Sequence, residues 1–351
     1  MSSFFDSAVT HFYSLYGLTL ESQVAIPGLA NSVAGDRSSA SGRIQIEIGD
    51  PPAWISDSLT APAAPLFPAT SGNQGAKNAL RLYSRNEGKL FHLVYPDGAQ
   101  FALDAQTRQV WAWAPSSLTF EDLATYLVGP VMGFLLRQRG ILALHASCFC
   151  SLGQAFAICG GPQSGKSTMA AALALRGVKI LCEDIAALRE RIAVFYVAPG
   201  YPRVNLWPDS VANLLGPTGE LPRITPNWEK RFLPLEGAQP AFEGQSRPLA
   251  TVYIIGAREE GSGAPRIERI SPRSAALLLV QNTYMNYLLN KAQRAAELDM
   301  LVRLVSNVRV RRLVPHAGAS RLGDLCDLLE ADAKRSIMEP GFTEFAARPQ
   351  P

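Results

Sequence analysis

The chain has 351 residues, of which 47% are hydrophobic and 18% charged, with a net charge of +3. That is enough length and apolar content for two domains with sizeable cores. So small a charge excess argues against a nucleic-acid partner, and against a membrane surface held by electrostatics alone. The five cysteines carry neither a CxxC nor a zinc spacing. Cys148 and Cys150 fall on one face of a predicted strand, and Cys159, Cys182 and Cys326 lie in apolar contexts, which points to buried thiols in a reducing compartment. The opening MSSFFDSAVT has no basic region followed by an apolar run. The apolar stretch Leu123 to Leu136 is shorter than the ~20 residues of a membrane span and is interrupted by Gly129, Pro130 and Gly133. The expectation is a cytoplasmic protein with no membrane segment.

Residues 1 to about 115 read as a β-rich domain. Alternation opens at Tyr13, and Ile44, Ile46 and Ile48 mark a half-buried strand. A small-polar loop is expected over 31–42, and a Pro/Ala/Ser-rich loop or edge segment over 51–75. Two hairpins follow, one turning at Asn86–Gly88 and one near Ala105–Arg108, joined by the turn sequence Tyr95-Pro96-Asp97-Gly98. Residues 116 to 335 change character. Thr119 can cap a helix with Asp122 three residues on, and that helix is expected to run to about Arg139 and stop at Gly140. Strands are expected at Ile141–Phe149, Ala155–Cys159 and Val178–Cys182, with a helix of good formers from Lys166 to Arg176 between the last two. From Pro199 to about Gln245 the prolines suggest loops. A strand at Ala250–Ala257, helices at Ser274–Val280 and Tyr284–Leu304, a strand at Val308–Val314 and a helix at Arg321–Lys334 complete the pattern, and 336–351 read as a loosely held tail.

Gly160-Gly161-Pro162-Gln163-Ser164-Gly165-Lys166-Ser167, followed by Thr168, fits G-x-x-x-x-G-K-[ST]. The glycines let the backbone come close to phosphate, successive N–H groups form an anion nest, and the helix starting near Lys166 adds its positive end. In such a loop Lys166 reaches the β- and γ-phosphates and the Ser167 hydroxyl ligates magnesium. The motif is strong because a strand precedes it and an Ala-rich helix follows. Glu183 and Asp184 end the next strand. One acid of such a pair can hold magnesium while the other accepts a proton from a hydroxyl. Adjacent strand residues point to opposite faces, so both reach one centre only if the strand ends or bends there. His145 sits on the strand before the loop strand, where a lone histidine is more often a packed, hydrogen-bonded residue than a catalyst.

The stretch Leu144 to Leu188 resembles the HPr serine kinase/phosphorylase family: His145-Ala146-Ser147, the loop from Gly160 to Thr168, Arg176-Gly177, then Leu181-Cys182-Glu183-Asp184. The resemblance implies an α/β fold, with a P-loop core of the HPr-kinase/PEP-carboxykinase type at 116–335 carrying a β-rich N-terminal domain at 1–115. It implies ATP and Mg2+ as cofactors, an acid–base role for His145 and Glu183, a metal- or phosphate-orienting role for Asp184, and a serine as acceptor. The first acid is Glu rather than the family's Asp. The segment Tyr16-Gly17-Leu18 looks like HPr-kinase-related proteins of peptide-modification clusters, some of which are lasso-peptide kinases. Asn282 to Tyr287 looks like the family's late helix. The family is commonly oligomeric, so a homo-oligomer stays open.

Arg203 and the Lys230–Arg231 pair are further candidates for acceptor or phosphate contacts, with plain exposed charge as the alternative. The N-terminal domain is either a peptide-capturing sheet edge or a structural cap. Three readings stay open on the sequence: a kinase acting on a serine of a peptide or protein, a small-molecule kinase, and a non-catalytic nucleotide-gated binding or regulatory protein.

Overall fold

The computed structural model describes residues 9–30, 43–60, 62–67, 80–237, 241–261 and 263–338. The expected loop at 31–42 and all of the expected tail beyond residue 338 lie outside the described residues, as does much of 61–79. The fold is mixed α/β, and the chain divides into two compact units: Met1–Arg139 with Thr225–Trp228, and Gly140–Ile224 with Glu229–Pro351. The boundary expected near 115 therefore moves to the 139/140 junction. The reason is packing, because the helical stretch after Thr119 buries its side chains on the first unit. Tyr16 donates its hydroxyl to the Val128 carbonyl at 3.2 Å, Phe134 meets Phe91 edge to face at 5.4 Å, and Tyr126 packs on Tyr95 while donating to Asp97 Oδ2 at 2.6 Å.

The first unit is built on a seven-stranded sheet in the order β1 (His11–Leu15), β2 (Leu18–Ser22), β3 (Arg43–Ile48), β7 (Gln109–Trp113), β6 (Gln100–Asp104), β5 (Leu90–Val94), β4 (Arg81–Arg85). Tyr16 and Gly17 both take positive φ (55° and 71°), the two-residue hairpin geometry that splits the alternating run into β1 and β2. The two later hairpins form where turn chemistry marked them. A short helix, α1 (Ser56–Thr60), interrupts the Pro/Ala/Ser-rich segment. Thr119 and Asp122 form a reciprocal capping box on α2 (Phe120–Tyr126). The single helix expected to Arg139 is broken by a π turn at Leu127–Val131 containing Pro130, which lacks an N–H to donate, before α3 (Met132–Gln138) resumes.

In the second unit the chain order is β8 (Leu142–Ser151), β9 (Gln154–Cys159), α4 (Lys166–Leu175), β10 (Ile180–Cys182), β11 (Ile185–Arg191), β12 (Val194–Val197), β13 (Arg203–Leu206), α5 (Pro208–Leu215), β14 (Arg231–Pro234), β15 (Arg247–Ile255), β16 (Arg266–Arg269), α6 (Pro272–Gln281), α7 (Lys291–Asn307), β17 (Arg309–Val314) and α8 (Leu322–Met338). Strand pairings run in a closed circuit, β8–β11–β12–β15–β9 and back to β8, with β17 and β16 continuing outward from β15. One apolar layer packs α4, α5 and α8, and the other packs α6 and α7. Strand β9 is central, parallel to β15 and antiparallel to β8, and all but its first residue are buried.

Several expectations are corrected here. The proline-rich stretch after Pro199 is ordered as β13, α5 and β14. Pro208 occupies the first turn of α5, where its missing N–H costs nothing. The helix expected from Tyr284 starts only at Lys291, behind a capping box of Asn290 and Gln293. Met285 takes φ 50° and Asn286–Leu288 make one 3-10 turn, so Asn282 to Tyr287 is not a helix. Helix α8 continues through Ser336 to Met338. The β11–β12 hairpin was not visible because its turn uses Ile192 and Ala193 at positive φ (49° and 63°), with no Gly, Asn or Asp to mark it. Among the described residues no helix is long and apolar enough to cross a membrane.

The first unit contains a buried histidine with a defined proton. Arg85 Nε donates to His92 Nδ1 at 3.0 Å, so Nδ1 must accept, and Nε2 carries the hydrogen shared with Gln100 Oε1 at 3.0 Å. Burial, opposed by the Gln100 bond and reinforced by the Arg85 charge, pushes His92 down to about 4. A histidine depressed on folding gives a stability that is full above its unfolded value and falls as pH drops toward the folded value. Between pH 7 and pH 4 the wild-type chain should lose about 3 kcal/mol more than His92→Gln. Chemical denaturation at both pH values measures this, and equal losses in the two proteins would contradict the assignment.

Candidate active site

All of the catalytic and binding residues expected from the sequence lie in the second unit. Strand β9 ends at Cys159, and residues 160–165 connect it directly to α4. Two glycines in this loop are required by their surroundings. A Cβ on Gly160 would come within 2.7 Å of Ser164 Oγ and 3.2 Å of Ile255, and Gly165 caps α4 at φ 102°, where a Cβ would meet Arg258 Nη2 at 3.0 Å. Gln163 also takes positive φ (60°). Lys166 is buried and folds back over the loop, donating from Nζ to the carbonyls of Gly160 at 2.7 Å and Gly161 at 3.0 Å. Burial lowers its pKa, against the raising influence of Asp184 and Glu183. Ser164 Oγ is buried within the loop with no hydrogen-bond partner. Thr168 turns away, its hydroxyl bonded to Ser210 Oγ on α5 at 3.0 Å.

Glu183 and Asp184 follow β10. Asp184 takes φ 68°, a left-handed conformation unusual for a non-glycine residue. This is the bend that two adjacent acids need to serve one centre. They take different partners. Glu183 Oε1 accepts the Ser167 hydroxyl at 2.7 Å, while Oε2 lies 3.4 Å from both Tyr201 Oη and Asn205 Nδ2. Asp184 Oδ1 lies 3.2 Å from His145 Nε2, and Oδ2 accepts the Tyr284 hydroxyl at 3.1 Å. His145 is held by its strand: its amide donates to the Asn282 carbonyl at 2.7 Å and it pairs in register with Ile185 of β11. The contacts thus join Glu183 to the loop serine and Asp184 to the histidine, whereas the resemblance joins the first acid to the histidine.

The two carboxyls also differ electrostatically. Glu183 is only 5% exposed. Burial, then the neighbouring Asp184 charge, push it up to about 7. For Asp184 burial acts upward, but the His145 hydrogen bond and the His145 and Lys230 charges outweigh it and hold the group below the usual carboxylate range. Burial and the two acids push Tyr201 well above its ordinary value, so it stays a phenol and a donor. Tyr201, Asn205 and Tyr284 were not singled out as site residues from the sequence. Only Tyr201's place beside Arg203 and Tyr284's place in the Asn282–Tyr287 segment hinted at them.

The chain matches no protein-family model and no curated protein. Among solved structures it has a distant likeness to the HPr(Ser) kinase/phosphatase from Coxiella burnetii, at 13% identity over 59% of this chain and 99% of that one, with a TM-score of 0.31. At that score the likeness carries neither a fold nor a functional conclusion for this chain.

The raised Glu183 has a measurable consequence. Because its folded pKa lies above the ordinary 4.5, the folded state keeps a proton that the unfolded chain releases between pH 4.5 and about 7. Wild-type stability relative to Glu183→Gln is therefore full below pH 4.5 and is lost as pH rises through 7. In metal- and nucleotide-free buffer, Glu183→Gln should melt higher than wild type at pH 8, with the gap closing by pH 4.5. A gap that is independent of pH would contradict the burial argument.

Proposed function

We propose that this protein is an ATP- and magnesium-dependent kinase that transfers the γ-phosphate to a hydroxyl, the best-suited acceptor being a serine of a peptide or protein, as in the lasso-peptide-precursor kinases. The observation that carries this reading is the division of labour between adjacent carboxylates. One is tied to a hydroxyl on the first turn of the loop helix, and the other to a histidine and a tyrosine. The second arrangement supports catalysis over a purely nucleotide-gated binding protein.

The residues fit the cofactors. The loop packs so closely at Gly160 that a side chain would be excluded, it keeps an unpaired buried Ser164 hydroxyl, and it leads into a helix N-terminus, features that suit a triphosphate. Ser167 and Glu183 offer hard oxygens, as magnesium prefers. Among the described residues no group of three or more His, Cys, Asp or Glu could hold a metal by itself. A magnesium ion at Ser167 and Glu183 would therefore complete its shell with phosphate oxygens and water, its usual habit.

In this mechanism the loop amides, with Gly160, Gly161, Pro162, Gln163, Ser164 and Gly165 shaping the turn, would hold the triphosphate, and Lys166, now on the loop carbonyls, would offset its negative charge. Ser167 and Glu183 would hold magnesium. Bound magnesium-ATP supplies the phosphoryl donor and spreads the charge of its transfer. Asp184, kept ionised by His145 and Lys230, would accept the hydrogen bond of the acceptor hydroxyl and take its proton as that oxygen bonds to the γ-phosphorus and the bond from phosphorus to the bridging oxygen breaks, ADP leaving. His145 Nε2 and the Tyr284 hydroxyl fix the direction of that carboxylate. Positioning and fixed dipoles do most of the work.

Mass spectrometry of the protein with magnesium-ATP and a panel of serine-bearing peptides tests the reading. A gain of one phosphoryl group on a peptide serine is expected. Lys166→Ala should abolish it. Asp184→Asn should lower kcat by about 10²–10⁴-fold, and Glu183→Gln should raise the magnesium concentration needed. Wild-type turnover in Lys166→Ala, or turnover in Asp184→Asn unchanged, would remove the assignment.

A further inference from the structure

The two-stranded ribbon β13–β14 has two chemically distinct faces. Val204 and Leu206 point into the apolar layer of α4, α5 and α8, with Leu233 packed against it. The alternate residues Arg203, Asn205 and Trp207 share the other face. Phe232 stands opposite Asn205 in register, and Lys230 lies two residues before it. This face turns toward the acids, because Asn205 reaches Glu183 Oε2, the oxygen that Ser167 does not use.

Arg203 is the unusual member. It is only 7% exposed, yet among the described residues its side chain makes no hydrogen bond or ion pair, and its Nε is buried without a partner. Its guanidinium is held instead by rings, 5.2 Å from the Tyr201 centroid and 5.5 Å from that of Phe232. Asn205 Oδ1 beside it is likewise buried and unpaired. Lys230 repeats the arrangement at the outer end, with Nζ 5.0 Å from the half-exposed Trp207 ring, and its charge is felt by Glu183, Asp184 and Lys166. Arg231, its neighbour in sequence, is instead paired with Glu229 at 4.0 Å and belongs elsewhere. A buried cation normally has a carboxylate or a bound anion. Ring stacking fixes the orientation of a guanidinium while leaving its N–H fork free, and that fork matches a carboxylate or phosphate.

We propose that Arg203 and Lys230, on the ring-lined face of the β13–β14 ribbon, form an oxyanion subsite that takes a carboxylate or phosphate carried by the acceptor molecule near its reacting hydroxyl. The acceptor assignment rests on the phosphotransfer reading above. The triphosphate already has the loop amides and Lys166, whereas the ribbon meets the opposite oxygen of Glu183. The substrate class is thereby narrowed to hydroxyl compounds with a neighbouring negative group, such as an acidic or already phosphorylated serine peptide.

Calorimetric titration of inorganic phosphate separates the possibilities without requiring turnover. The protein is titrated in three states: with magnesium and a non-hydrolysable ATP analogue, with magnesium-ADP, and alone. Phosphate should bind in all three states. Arg203→Gln and Lys230→Gln should each weaken it by about tenfold, and Arg203→Gln should leave analogue affinity within about twofold. Binding with magnesium-ADP but not with the analogue would place the anion where the γ-phosphate goes and overturn the acceptor subsite. No binding in any state, or binding insensitive to both substitutions, would overturn it as well. Failure of the analogue to bind would sink the kinase reading instead, and phosphate titrated alone would still report on the subsite. Should Arg203→Gln fail to fold, Lys230→Gln, which changes a half-buried side chain over Trp207, carries the comparison.

Discussion

The left-handed turn at Asp184 is the constraint on which the site depends. Two adjacent residues of a regular strand diverge, and here they would leave one carboxylate at the loop and the other on the far face of the sheet. With φ 68° at Asp184 the chain kinks between β10 and β11, which both run antiparallel to β8, and both acids face the same space. The conformation costs a non-glycine residue on the order of 1 kcal/mol or more. It is held by the Ala146 amide donating to the Asp184 carbonyl at 3.2 Å and by the Ile185 amide donating to the Glu183 carbonyl at 2.8 Å. Strained backbone that its surroundings over-determine is typical of functional sites.

The turn also makes the acids unequal. Glu183 is carried inward, where burial favours its protonated form, and it is stabilised by three donors, Ser167, Tyr201 and Asn205. Asp184 stays nearer the surface with His145 and Tyr284 and remains ionised. Neighbouring carboxyls with pKa values driven apart are a recurrent way to assign separate tasks to like groups. The length of the first acid follows from the same geometry: the Glu183 side chain spans from the strand end to the first turn of α4, which brings its carboxylate within 2.7 Å of Ser167.

Around these acids the unit supplies three walls. Strand β9 and α4 bring the loop, strand β8 brings His145, and the β13–β14 ribbon brings aromatic rings and two cations. The ribbon's apolar face is anchored in the same layer that holds α4, so loop and ribbon share one core, and a change in the packing of Val204 or Leu206 would be felt at the loop.

Local signals in the sequence determined the glycine loop, its flanking strand and helix, the capping box at Thr119 and the two later hairpins of the first unit, because each depends on residues a few positions apart whose backbone preferences are intrinsic. The same locality explains what was missed. The turn at Ile192–Ala193 carries no turn residue. The prolines of 199–245 read as loop although Pro208 merely opens a helix, and the Tyr284 segment has helix-forming composition but is fixed by the amide of Tyr284 donating to the Ala143 carbonyl at 2.8 Å, a contact across the sheet. The place of Glu183 beside Ser167, of Asp184 beside His145 and Tyr284, and of Arg203 between two rings was decided only by tertiary structure. Those contacts join residues far apart in the chain, and no local preference records which of two adjacent carboxylates will be carried inward when the strand turns.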